Sequence, residues 1–178
     1  TIHYSGKLDD PRALPALVLE ARQFARKRNW RAQEIDERII GKVERYVGTD
    51  PKTDIVKIKT ERIDNALRGI VIFPGARSES ISLTFNLQSE LCFYMPLQEQ
   101  GLYWENKLLF TKTQFAPIEV HIAICELLHS LKDKYFPSMD VSDEGEYFET
   151  GDAELLAKKF GFLNAAMGML ERELADPE

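Results

Sequence analysis

His121, Cys125 and His129 recur at every fourth position of one apolar run, and they are the side chains best suited to chemistry. An imidazole and a thiolate at i and i+4 of a helix reach a single ion, as in zinc-binding helices. Positions i and i+8 lie about 12 Å apart along the axis, so all three cannot close round one metal from a straight helix. Either neighbouring pair would need ligands from elsewhere, and His3 and Cys92 are the remaining histidine and cysteine. A cysteine–histidine nucleophile is no better placed. In mid-helix the dipole gives little help, and apolar neighbours raise the thiol pKa. The spacing predicts hydrogen-bonded histidines on a half-buried helix edge, with no metal, no cofactor and no catalytic residue.

The second candidate is the acidic segment from Asp140 to Asp152. Asp140, Ser142, Glu144 and Gly145 match the first, third, fifth and sixth positions of a calcium loop, but the twelfth falls on Gly151, where a bidentate glutamate is required. The segment reads instead as an acidic connector pinned by Tyr147 and Phe148. From Pro137 onward eleven acids face three bases, a balance of −8, while the preceding residues carry +2. Asp140, Asp143, Glu144 and Glu146 are therefore the candidates for steering a basic protein partner. A chain of net charge −6 offers no general lysine and arginine surface for nucleic acid.

Aromatic density marks a third candidate. Phe93, Tyr94, Tyr103, Trp104, Phe110 and Phe115 crowd into two dozen residues. With His121 the first five are the candidate lining of an apolar ligand cavity between a sheet and the second helix; a plain core under helices is the competing reading. Pro74-Gly75-Ala76-Arg77-Ser78 lacks the glycine pattern and lysine of a phosphate loop and reads as a hairpin connection.

Three helices and a sheet must position these groups. Asp9, Asp10 and Pro11 open a helix that runs to about Trp30, with Leu14, Leu17, Val18, Ala21, Phe24 and Ala25 on one face. Pro117 and Pro137 bracket a second helix whose broad face carries Val120, Ile124, Leu127, Leu128, Leu131 and Tyr135. The third spans about Asp152 to Ala175, with Leu156, Phe160, Leu163, Met167, Leu170 and Leu174 on one face and a break or bend expected at Gly161.

Between Glu34 and Thr111 the period changes to two, most clearly in residues 80–87, where Ser82 and Thr84 should face water. Further strands are expected near 38–47, 53–60, 67–73, 91–95, 102–105 and 107–111, and Ile2 to Lys7 can add another. Turns are expected at Thr49-Asp50-Pro51, Asp64-Asn65 and Gln88-Ser89. The short connections imply antiparallel neighbours.

The reading is α+β: one domain, residues 1–178, with an antiparallel sheet of about six to seven strands packed against three helices, one N-terminal and two C-terminal. At 44% hydrophobic the chain can build a core without disulfide or metal. Two cysteines in apolar runs suit a reducing, cytoplasmic setting, and no signal-peptide pattern or membrane-length apolar run is seen. The favoured function is non-catalytic association with a protein partner, a second copy included. A small apolar ligand held by the aromatic cluster is the alternative, and a hydrolase-type enzyme comes third. Protein purified without chelator is expected to hold no stoichiometric zinc and to melt at the same temperature with and without EDTA; elemental analysis finding about one zinc per chain would overturn the spacing argument.

Overall fold

Leu17, Ala21 and Ala25 form the fully buried seam of helix α1 (Leu14–Lys27) in a computed structural model that describes residues 1–75 and 77–175, with side chains to residue 172. The expectations for Ala76, Asp176 and Glu178, and for the side chains of Glu173 and Leu174, lie outside the described residues. The Asp10 carboxylate accepts the Arg12 amide at 2.9 Å and caps a 3-10 turn, Pro11–Ala13, that leads into α1. Asn29 ends the helix in the left-handed conformation (φ +56°), which lets the Trp30 amide return to Ala25 O at 2.9 Å.

Among the described residues, eight strands form two sheets. The smaller has the order β7-β1-β8, in which β1 (Ile2–Ser5) lies antiparallel between β7 (Leu109–Thr111) and β8 (Asp140–Asp143). The larger has the order β4-β3-β2-β6-β5: β2 (Arg31–Thr49), β3 (Val56–Phe73), β4 (Ile81–Phe85), β5 (Phe93–Pro96) and β6 (Leu102–Asn106). The chain is thus α+β, with its strands divided between two sheets.

One pairing departs from the antiparallel expectation. β6 runs parallel to β2 at Lys42–Glu44. Short connections fix the sense of consecutive strands only; β6 returns to β2 after three other strands have intervened. Glycine makes the approach feasible, because a Cβ on Gly41 would lie 2.0 Å from Gly101 O. Gly69 plays the same part opposite β4, where an added Cβ would lie 2.0 Å from Leu83 O.

The sheet carries apolar groups on both faces. Ile70, Ile72, Ile81 and Leu83 join α1, helix α2 (Ile118–Tyr135) and the smaller sheet in the main core. On the other face Ile39, Val43 and Leu67 pack with Cys92 and Tyr94 in a second cluster. The sheet also curls back on itself: Leu91 bridges Phe85, and the Cys92 amide donates to Thr84 O at 2.9 Å. This overturns the exposure expected for Thr84, which is fully buried and donates its hydroxyl to Cys92 O at 2.6 Å. Ser82 is half-buried.

The strands expected at 53–60 and 67–73 are one strand. Asp64 and Asn65 do not turn; they pair with Ile40 and Ile39 in a hairpin that is continuous from Arg31↔Phe73 to a bulge at Tyr46/Gly48. The polar groups of Asn65 are used sideways, its Oδ1 accepting the Ala66 and Leu87 amides at 2.8 Å each, so the residue satisfies its local hydrogen bonding without bending the chain. Beyond Glu44 on β2 and Arg68 on β3 neither outer edge is paired. The hairpin therefore projects as an arm.

Helix α2 is the most buried, with eight buried residues against three in α1. A single turn, α3 (Tyr147–Thr150), precedes helix α4 (Ala153–Ala175), which passes Gly161 without a break. Glycine weakens a helix but removes no amide, and nothing approaches either glycine of α4. No described helix is long and apolar enough to cross a membrane.

Truncating Leu83, Phe85 or Leu128 to alanine is expected to cost about 2–5 kcal/mol in urea unfolding, since each is at most 1% exposed. Thr84→Ala should cost about 1–3 kcal/mol by leaving Cys92 O unsatisfied, whereas an effect near zero would contradict the burial of that face.

Candidate functional site

Thr113, His121, Cys125 and Asp143 meet between α2, β8 and α3. The Asp143 carboxylate accepts the Gly145 amide at 2.7 Å on Oδ1, and on Oδ2 the Tyr147 amide at 2.9 Å, the Phe148 amide at 3.1 Å and His121 Nε2 at 2.8 Å. The Cys125 thiol points at the same oxygen from 3.7 Å. With Asp143 ionised, Nε2 carries a proton towards it, and the other ring nitrogen, Nδ1, is hydrogen-bonded to the Thr113 hydroxyl 2.7 Å away. Burial acts to raise the Asp143 carboxyl, but hydrogen bonds from His121 and from the Gly145 and Phe148 amides outweigh it and hold it below the ordinary aspartate value. Burial and the neighbouring Asp143 charge push the Cys125 thiol up, which leaves it an inert hydrophobe.

His121, Cys125 and Asp143 bring three ligand-type atoms within 4.8 Å of one another. The distances are those of hydrogen bonds. Two ligands of a tetrahedral zinc lie roughly 3.3 Å apart, whereas Nε2 and Oδ2 at 2.8 Å share a proton. An ion would also have to displace backbone amides from Asp143. The connectivity Thr113–His121–Asp143 repeats that of a hydroxyl–imidazole–carboxylate relay, but all three residues are at most 4% exposed, and Phe160 stacks edge-on over His121 at 5.4 Å. His129 stands apart, hydrogen-bonded to Phe148 O at 2.7 Å and stacked on its ring.

The six residues expected to line a cavity do not converge. Phe93 and Phe110 flank an open groove of about 530 Å³ between the two sheets, floored by Ile35, Val71 and Phe73. Tyr94 and Tyr103 meet edge-to-face in the second cluster, Trp104 sits half-buried on β6, and His121 is sealed in its network. The groove therefore lies between sheet and sheet rather than between sheet and helix.

Of the four acids, Asp140, Glu144 and Glu146 are exposed. Asp143 is not: it is 4% exposed and spends its lone pairs inside the fold, so it cannot steer a partner. Glu146 pairs with Lys159 at 2.6 Å, and Glu144 approaches His3 at 3.4 Å.

Two apolar surfaces are bare. On the arm, Ile40, Tyr46 and Ile58 are 51–57% exposed. Among the described residues of α4 only Leu156 is fully buried; the continuation of the helix carries Phe162 at 75%, Leu163 at 43%, Met169 at 65% and Leu170 at 57% exposure. Phe162 and Met169 form a second apolar row beside the expected stripe. The sequence held this signal, since two adjacent rows make a face wider than one packing contact covers.

Comparison with protein-family models, with curated proteins and with solved structures returned no match. Asp143→Asn is expected to cost about 3–5 kcal/mol, because the amide cannot accept all the donors aimed at it. Because the native pKa is depressed, the stability Asp143 contributes is fully present above its unfolded value of about 4 and is lost as pH falls through the native value. Urea unfolding from pH 7 downwards should show this acid loss in the wild type and its attenuation in the variant. Equal acid profiles would refute the role of Asp143.

Proposed function

We propose that the chain is a non-catalytic association module that works through the bare face of α4. One observation carries the reading: beyond Phe160 the helix bears large apolar side chains, Phe162, Leu163, Met169 and Leu170, that are 43–75% exposed. Fully burying one such side chain is worth about 1.5–3 kcal/mol, and contiguous exposed apolar groups on a folded protein mark a contact surface. The three exposed acids at the start of this region, Asp140, Glu144 and Glu146, would add long-range attraction for a basic partner. An enzyme reading has less support, since the sole relay-like constellation described is sealed from any substrate. A second reading is favoured by the groove beside Phe93 and Phe110, whose apolar floor suits a small apolar ligand.

The double variant Phe162→Ser/Met169→Ser tests the first reading. Both side chains are more than half exposed, so the melting temperature of dilute protein should stay within about 2 °C of wild type. Association, read by sedimentation velocity across a concentration series and by affinity capture from native lysate, should fall at least about tenfold, the equivalent of 1.4 kcal/mol. A wild type that associates with nothing, or a variant that associates as well as wild type, would refute the module. Saturable binding of an apolar fluorophore weakened by Phe110→Ala would then favour the groove.

A further inference from the structure

The bare face of α4 has a symmetry of its own. Phe162, Leu163, Ala166, Met169 and Leu170 stand at offsets −4, −3, 0, +3 and +4 from Ala166, so two large groups flank a small one on each side. A helix presenting large, large, small, large, large is its own complement when a second copy is laid against it antiparallel. Resting on the association reading, we propose that the occupant of this face is the same face of a second copy, in an antiparallel helix pair that crosses at Ala166.

In that register Phe162 of one copy meets Leu170 of the other, Leu163 meets Met169, and the two Ala166 methyls let the backbones approach.

The area is also sufficient. Side chains exposed by 43–75% at four of the five positions offer on the order of 500 Å² per copy, so a pair covers about 1,000 Å², the threshold for a specific interface. A two-fold arrangement closes on itself and uses both faces fully, whereas a head-to-tail contact would leave one exposed. Asn164, Met167 and Gly168 line a separate pocket with Arg77 and Phe115, on another side of the helix from Phe162 and Met169.

Cysteine cross-linking of the full chain decides the matter. A two-fold crossing brings residue 166 of both copies together, so Ala166→Cys should form a self-disulfide with diamide on the order of tenfold faster than Gly161→Cys, which lies about 140° round the helix. Cys92 and Cys125 are fully buried and give a low background. A mixture of Phe162→Cys and Leu170→Cys proteins should form the mixed dimer in preference to either self-dimer. Circular dichroism and melting confirm that each variant is folded. A dimer by sedimentation whose 166 position cross-links no faster than 161 overturns the register while sparing the association reading. A monomer at all concentrations that retains a foreign protein through Phe162 overturns the second copy as occupant. A monomer that retains nothing defeats both.

Discussion

Asp143 gathers donors from three pieces of chain that are distant in sequence or differ in structure: the α2 side chains His121 and Cys125, the turn at Gly145, and the first amides of α3. A carboxylate is the only side chain able to accept this many donors at once, and in a site this dry each unpaired donor would cost about 1–3 kcal/mol. The constraint fixes where β8 ends, how α3 begins and hence where α4 sets out. Gly145 is part of the same arrangement, because a Cβ there would sit 2.6 Å from Leu156 and 3.0 Å from His121 Nε2. The bare face of α4 is presented where it is because of this buried hub.

Around the hub the protein makes more apolar surface than its own core covers. α1 and α2 close one face of the larger sheet, and the curled β5–β6 segment closes part of the other. The arm of β2 and β3 runs past both coverings, and α4 carries exposed apolar groups beyond Phe160. The arm limits the hazard of its free edges with ionic pairs, such as Arg38 with Asp64 at 2.7 Å and Arg68 with Asp36 at 3.2 Å. No such charge interrupts α4 between Phe160 and Leu170, where the uncovered residues are apolar, small or amide-bearing. In the pairing proposed above, this uncharged stretch is what the second copy covers.

The buried polar groups at this site hold α2, β8 and α3 against one another. His121 has the neighbours of a catalytic imidazole, a hydroxyl on one nitrogen and a carboxylate on the other, yet Phe160 and Leu156 of α4 seal it. The thiol of Cys92 is likewise pushed up, to about 12, by burial. Both cysteines act as small apolar groups.

Much of the architecture was legible in residue order. Proline at 11, 117 and 137, and apolar spacing at 3.6 or 2, act within a few residues of chain, so α1, α2, α4 and the strand at 81–85 could be placed from local rules. The inert thiol at 125 followed from its place in an apolar helix for the same reason. Only the tertiary structure decided what depends on residues remote in sequence. Nothing near Asp143 announces His121, twenty-two residues away, so an apparently solvated acid became the buried hub. The parallel seat of β6 on β2 depends on Gly41 and Gly101, two positions that meet only after folding. The stripe along α4 shows that apolar side chains share a face, but whether anything covers that face depends on the rest of the fold, which buries Leu156 and leaves Phe162 and Met169 more than half exposed.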